Sequence, residues 1–199
     1  MLRDTGGDKG RCAVRIVFIR HGKTAGNMEK RYIGRTDEPL CEAGIAELKS
    51  ISYPGCEAVI ASPMKRCLQT AEIIYPGIKP VTCRELRECD FGDFEGRNHI
   101  ELSGNPDYQK WLDNGGLGAF PNGEDSRDFR ARSVNGFLNA LEDNKSVNTV
   151  SFVVHGGTIM SILENLAFPH REFYEYMTEN GHGYVTVYDG EKLEITDRI

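Results

Sequence analysis

Two apolar runs in this chain stop at the same pair of residue types. Ala13-Val14-Arg15-Ile16-Val17-Phe18-Ile19 ends at Arg20-His21-Gly22, and Thr149-Val150-Ser151-Phe152-Val153-Val154 ends at His155-Gly156-Gly157. A β-branched and aromatic run of this kind reads as a buried strand. Its abrupt end at a cation, an imidazole and a glycine reads as a strand that delivers a site. In an open α/β sheet, ligands sit outside the carboxyl ends of parallel strands. Two strands ending in His-Gly therefore bring two imidazoles into one crevice, a place for an anion or for nucleophilic catalysis.

The rest of the chain supplies the alternation that such a sheet needs. Residues 23–40 are polar, with Gly26, Gly34 and Pro39, and read as an ordered loop over the site. A helix is expected over 42–51, a strand over 57–61, and a helix from Ser62 to about Tyr75, with Ser62 as its N-cap and Pro63 at its first position. Further strands are expected at 79–83 and 149–154, helices at 129–141 and 157–167, and a closing hairpin from 184–188 and 193–196 across Asp189-Gly190-Glu191. The implied fold class is α/β: a doubly wound, mostly parallel sheet flanked by helices. Over 97–121 the alternation breaks. This stretch holds the only tryptophan, Trp111, with Tyr108 and Phe120, and reads as an inserted lid or substrate wall. Residues 1–12 read as a flexible tail and 13–199 as one domain.

Composition narrows the partners. The chain is 199 residues long, 39% hydrophobic and 27% charged, as for an ordinary globular protein. Its net charge of −6 argues against nucleic acid and against a membrane surface, so an anionic substrate must be held by local arginines. Cys12, Cys41, Cys56, Cys67, Cys83 and Cys89 show no C-x-x-C spacing and build no metal site. Free thiols and a polar N-terminus point to the cytoplasm. No run is long enough to span a bilayer.

Five residues carry the candidate chemistry. His21 and His155 follow the two strands, Arg20 precedes His21, Arg66 lies in the first turn of the helix after Ser62, and Glu88 lies beyond the strand at 79–83. Guanidinium forks match phosphate oxygens two at a time and keep their charge. A neutral imidazole with one free nitrogen is a nucleophile toward phosphorus. A nearby carboxylic acid can protonate the departing alkoxide and then take a proton from water. His99 and His170 read as structural, and Lys65 and Arg87 as solvated charges. Composition alone makes Glu85, Glu88, Asp90, Asp93 and Glu95 a solvated acidic loop. The Gly pair after His155 is similar to an esterase oxyanion loop, but no G-x-S-x-G accompanies it. No P-loop or G-x-G-x-x-G occurs.

These segments together resemble the histidine phosphatase superfamily, also called phosphoglycerate mutase-like. The resemblance rests on Ile19-Arg20-His21-Gly22-Lys23-Thr24-Ala25-Gly26-Asn27, with Lys23 where glutamate is commonest, and on Thr36-Asp37-Glu38-Pro39-Leu40 with Gly44. It continues in Ser62-Pro63-Met64-Lys65-Arg66-Cys67-Leu68-Gln69-Thr70-Ala71, in Leu86-Arg87-Glu88-Cys89-Asp90-Phe91-Gly92-Asp93-Phe94-Glu95-Gly96 and in Val153-Val154-His155-Gly156-Gly157. The blocks come in family order. The resemblance implies that His21 attacks phosphorus and carries a phosphoramidate, while Arg20, Arg66, His155 and the Asn27 amide hold the oxygens. It makes Glu88, rather than its acidic neighbours, the acid and then the base. Thr24, Gly156 and Trp111 are the further expected substrate contacts, and no metal or cofactor is expected.

Within the superfamily the chain resembles the shorter phosphatases. Phe91 to Glu95, Trp111, Pro121-Asn122-Gly123-Glu124, Phe129 and Arg132 are similar to α-ribazole phosphatases. Ile33 departs from relatives that carry a polar residue there. The implied function is a metal-independent phosphomonoesterase acting through a phosphohistidine on a small phosphorylated metabolite. α-Ribazole 5′-phosphate is one substrate that the resemblance brings forward. The alternatives are a phosphoglycerate mutase, or a non-catalytic phosphoprotein-binding domain on the same fold. A phosphatase of phosphohistidine proteins is a further variant. The sequence sets no oligomeric state.

Overall fold

The computed structural model describes residues 13–199, so the expected tail at 1–12 lies outside the described residues. In chain order the elements are β1 (Val14–Arg20), α1 (Ala25–Met28), α2 (Glu42–Ser50), β2 (Ala58–Ala61), α3 (Lys65–Ile74), β3 (Val81–Thr82) and α4 (Pro106–Asp113). They continue as α5 (Ser126–Asp143), β4 (Thr149–Val154), α6 (Gly156–Leu166), β5 (Ala167–Phe168), β6 (Gly183–Tyr188) and β7 (Leu193–Arg198). Short 3₁₀ turns lie at Arg84–Leu86, Gly92–Phe94 and Phe173–Tyr176.

Alternate residues of β1 feed two separate cores. Ile16 and Phe18 pack with Phe152 and Val154 of β4, Phe137 of α5 and Ile159 of α6. Val17 and Ile19 point the other way, against Val59 and Ala61 of β2 and Cys67 and Ala71 of α3. All four β1 residues are fully buried. A strand covered on both faces needs no polar side, which is why its sequence reads as a continuous apolar run. Each such side chain contributes about 1.5–3 kcal/mol by leaving water.

The sheet has seven strands in the order β3-β2-β4-β1-β6-β7-β5. β3, β2, β4 and β1 run parallel, β6 is antiparallel to both β1 and β7, and β5 pairs parallel with β7. This is the expected mostly parallel sheet with flanking helices. The register matters most at one end. Arg20 pairs with Val154, and the His21 N–H donates to the Val154 carbonyl at 2.9 Å. The two central strands therefore end level, and their histidines leave the sheet side by side.

Several expected boundaries shift. α3 starts at Lys65 with Met64 as its N-cap and no side-chain cap, so Ser62 and Pro63 lie outside the helix. Asp37 Oδ1, from the preceding loop, accepts the Lys65 N–H at 2.7 Å instead. The expected strand at 79–83 contracts to Val81–Thr82, an exposed edge pairing behind Pro80. α5 reaches back to Ser126, where Asp125 accepts from the Arg127 N–H. Over 97–121 no strand is added to the sheet, but α4 forms there, started by Asn105 as cap and Pro106 at its first turn. Its Tyr108 joins Cys89, Phe94, Leu102, Phe120 and Phe129 in a third, separate apolar cluster, with Trp111 packed against it.

Candidate active site

His21 stands at the end of β1 and is 4% exposed. Its Nδ1 lies 2.7 Å from the Gly22 carbonyl oxygen. A carbonyl only accepts, so Nδ1 carries the proton and Nε2 keeps its lone pair. Burial holds the His21 pKa well below the usual histidine range, and the Arg66 and Arg20 charges push the same way against the Gly22 bond. The imidazole is neutral, with its free nitrogen available. The turn beneath it is held by the Gly22 N–H, which donates to Thr70 Oγ1 at 3.0 Å.

His155 is fully buried at the end of β4, and its ring centroid lies 5.2 Å from that of His21, edge to face. Its Nε2 is 2.8 Å from Ser62 Oγ. Burial, then Arg66, then His21 lower its pKa well below the usual range. The Ser62 hydroxyl is thus a partner of the second histidine and not a cap of α3, whose N-cap is Met64.

Arg66, in the first turn of α3, is fully buried. Its Nη1 donates to the Thr36 carbonyl at 2.8 Å and its Nη2 to the Gly34 carbonyl at 2.9 Å. The loop offering those carbonyls is itself tied down, because Glu95 Oε1 accepts the Gly34 and Thr36 N–H groups, both at 2.9 Å. Arg20 Nη1 donates to the Thr178 carbonyl at 2.7 Å. Neither arginine has a carboxylate within ion-pair distance among the described residues, and the Nε of each is buried without a partner. Desolvation lowers the Arg20 pKa against the pull of Glu88. Two desolvated guanidinium groups held by carbonyls alone are costly until an anion arrives.

Glu88 Oε1 accepts the Cys89 N–H at 3.0 Å, and Oε2 accepts the Gly157 N–H at 3.3 Å. Burial raises its pKa, opposed by those N–H bonds and by Arg66 and Arg20. A carboxyl whose pKa is raised is better suited to act as an acid. Gly157 is obligatory for this contact: a Cβ there would come within 2.5 Å of Glu88 Oε1.

A cavity of about 290 Å³ opens over these groups, lined by Arg20, His21, Asn27, Glu88, Gly156 and Trp111 among the expected residues. Gly156 begins α6, so the helix N-terminus faces the same space. Arg66 and His155 are fully buried and outside the lining, with the His155 ring against that of His21. Thr24 is placed differently. It is fully buried, its hydroxyl accepts the Asn27 N–H at 3.3 Å to cap α1, and it does not line the cavity. Lys23, the departure beside it, pairs with Glu47 at 2.8 Å. Ile33 is part of the wall.

The wall also holds residues the sequence did not single out: Tyr32, Phe173, Tyr174 and Met177. Tyr32 meets Trp111 edge to face at 6.2 Å, and Trp111 stacks on Tyr108 at 5.9 Å. Trp111 is therefore both wall and part of the third core. Phe173, Tyr174 and Met177 come from a turn far along the chain, with no local signal to link them to a site. Ser62, Thr70, Glu95 and Asn180 were likewise missed as supports. Their types are common in loops, and only the side chains they meet mark them out.

A model of the histidine phosphatase superfamily (branch 1) matches residues 16–198, and the chain belongs to that superfamily. The adenosylcobalamin/alpha-ribazole phosphatase of Salmonella typhimurium is 27% identical over 177 residues, which cover 84% of this chain and 87% of that protein. A broad-specificity phosphatase of Saccharomyces cerevisiae is 29% identical over 182 residues, covering 84% and 76%. Among solved structures, phosphoglycerate mutase from Thermus thermophilus matches with a TM-score of 0.73 at 26% identity, over 94% of this chain and 98% of that one. The alpha-ribazole phosphatase from Shigella flexneri matches in fold, with a TM-score of 0.78 at 24% identity over 92% and 95%. The expected class, an enzyme of this superfamily, is met. No helix among the described residues is long and apolar enough to cross a membrane.

Proposed function

We propose that the protein is a phosphomonoesterase acting on a small phosphorylated metabolite through a phosphohistidine. One observation carries this more than any other. A buried imidazole with a free Nε2 stands beside two desolvated arginines that lack carboxylate partners, with a buried carboxyl of raised pKa lining the same cavity. In the first half-reaction His21 Nε2 forms a bond to phosphorus while the bond to the substrate oxygen breaks. Glu88 gives its proton to that departing oxygen. In the second, the Glu88 carboxylate takes a proton from water as the water oxygen attacks phosphorus. The P–N bond breaks and its electron pair returns to His21. Arg20, Arg66, His155 and the Asn27 amide stabilise the equatorial oxygens. These groups supply nucleophile, acid and charge between them, and the scheme calls for no metal or cofactor.

The leaving group is proposed to be largely apolar, because the wall beyond Glu88 is built from Tyr32, Phe91, Trp111, Phe120 and Phe129. A phosphoglycerate mutase would want free cations there for a carboxylate. The two wall arginines beyond the phosphoryl site are already paired, Arg31 with Glu101 and Arg130 with Glu164, each at 2.7 Å. α-Ribazole 5′-phosphate is a specific candidate, supported by the names of the Salmonella and Shigella relatives and by the aromatic wall. A panel of phosphorylated metabolites containing it, scored by kcat/KM with water as acceptor, is the test. Preference for an ester with a flat apolar leaving group and prompt release of phosphate are expected. A long-lived phosphoenzyme that passes its phosphoryl group only to phosphoglycerate would give the mutase instead. A protein that binds phosphate esters without turning any over would be the binding module.

A further inference from the structure

Ahead of β6 the chain doubles back over the Arg20-His21-Gly22 turn. The Gly181 N–H donates to the Arg20 and His21 carbonyls at 2.9 and 3.2 Å. Asn180 sits in the same stretch, 7% exposed. Its Nδ2 donates to the His21 carbonyl at 3.0 Å and to Asn27 Oδ1 at 3.2 Å. Asn27 Oδ1 also accepts the Thr24 N–H at 3.2 Å.

Backbone atoms at both ends decide which way these two carboxamides face. The His21 carbonyl only accepts, so Asn180 must present its NH2 group. The Thr24 amide only donates, so Asn27 must present its oxygen. Reversing Asn27 would set its NH2 against two donors, Thr24 N–H and Asn180 Nδ2. Its own NH2 is thereby turned away from the protein partners, at a residue that lines the cavity with Arg20, His21 and Glu88. An Asn27 turned the other way would offer an acceptor oxygen to an anion.

We propose that Asn180 is a positioning residue for phosphoryl binding: it locks the Asn27 carboxamide with its N–H groups toward the substrate oxygens and braces the backbone of His21 at the same time. This rests on the proposed role of Asn27 as a phosphoryl ligand. Asn180 touches no substrate atom and acts through its neighbour, over a sequence separation of 153 residues. The lock is in place before substrate arrives, so the hydrogen bond to the anion costs no reorganisation at binding.

The test is a double-mutant cycle on the full chain, with p-nitrophenyl phosphate as substrate and inorganic phosphate as competitive inhibitor. Asn180→Ala is expected to lower kcat/KM and weaken phosphate inhibition by about tenfold or more, the size of a lost hydrogen bond to a charged group. In an Asn27→Ala background the same change is expected to cost about twofold or less, because the group it positions is gone. Should Asn180→Ala fail to fold by thermal melting, the isosteric Asn180→Asp takes its place. Its loss should again be several-fold smaller in the Asn27→Ala background. Equal losses in both backgrounds overturn the proposal, since a general structural role would add independently. If His21→Ala and Asn27→Ala both leave hydrolysis intact, the reading of the site itself fails and the positioning role goes with it. A cycle that is additive while those two variants are impaired sinks the positioning role alone.

Discussion

The polar floor of the cavity and its aromatic wall are built on different terms. On the floor each proposed reacting group is aimed by a hydrogen bond to a backbone atom: His21 by the Gly22 carbonyl, Arg66 by the Gly34 and Thr36 carbonyls, Glu88 by the Cys89 and Gly157 N–H groups. The loop carbonyls that hold Arg66 are themselves tied down by Glu95, and His21 is fixed by the register of β1 on β4. The wall is ring against ring, Tyr32, Tyr108, Trp111 and Phe120 around Phe94. Its outer members Tyr174 and Met177 are 50% and 59% exposed. Chemistry requires direction, which hydrogen bonds supply. Selection of a leaving group requires shape, which apolar packing supplies and can change without disturbing the floor.

The sharpest way to break that division is at the nucleophile. His21→Ala should abolish turnover, a loss on the order of 10⁴-fold or more, on every ester whatever its leaving group. The melting temperature should hold. Wild-type protein quenched during turnover without acid should carry an acid-labile, base-stable phosphoryl group on His21. Substantial turnover by the alanine variant, measured by phosphate release, would end the mechanism.

Glu88 comes next, and its effect should depend on the substrate. Glu88→Gln is expected to slow alkyl phosphates about 10²–10⁴-fold, but aryl phosphates much less, because a good leaving group needs no proton. Burial raises the Glu88 pKa, so wild-type kcat on alkyl esters should fall as pH rises through that raised value. Aryl esters should lack that limb. Asp90→Asn should leave the contrast standing, since Asp90 is occupied with the Gly92 N–H at 2.9 Å. Equal losses on both ester types would make Glu88 a structural acid.

The wall should give smaller, substrate-dependent effects. Losing about 1–2 kcal/mol of apolar contact is roughly a 5- to 30-fold fall in kcat/KM. Tyr174→Ala is expected to lower kcat/KM by that amount for the preferred ester, with p-nitrophenyl phosphate and the melting temperature nearly unchanged. Trp111→Ala should show the same substrate dependence plus a drop in melting temperature, because its ring also packs into the third core. If Tyr174→Ala slows both esters equally, wall and floor are not separable.

The last effect is on stability and not on rate. His21 and His155 both have pKa values well below the ordinary one in the folded protein. As pH falls below about 6.5, the unfolded chain takes up protons that the folded protein refuses. Stability should therefore fall toward acid, by about 1.4 kcal/mol per pH unit for each histidine until its native value is reached. Glu88, with its raised value, works the other way, gaining stability as pH falls. Replacing both histidines by asparagine should flatten the acid side of a melting curve measured against pH. A curve with the same slope in that variant would show that the histidines are not held neutral.

The chain alone was enough for the two histidine-bearing strand ends and the alternation around them, and it brought Arg20, His21, Arg66 and His155 forward as candidates. A strand buried on both faces must be apolar along its length, and a reactive residue leaving it needs an immediate break, so both signals are local. Glu88 could be told from its acidic neighbours only through the family pattern, since five acids close together look alike to composition. Ser62 and Thr24 have partners that the sequence did not show, for a related reason. A hydroxyl before a helix looks like a cap, and one inside a block resembling a family signature looks like a ligand. Each serves instead whichever partner the fold brings to it.

What the tertiary structure decided lies in pairings between distant parts of the chain. Ser62 meets His155 across 93 residues, Arg20 meets the Thr178 carbonyl across 158, and Asn180 meets His21 across 159. A turn near residue 175 furnishes wall for a site that begins at residue 20. No periodicity records such contacts. Periodicity reports which side of an element is buried, whereas the partner a buried polar group finds is set by the register of the strands that carry both.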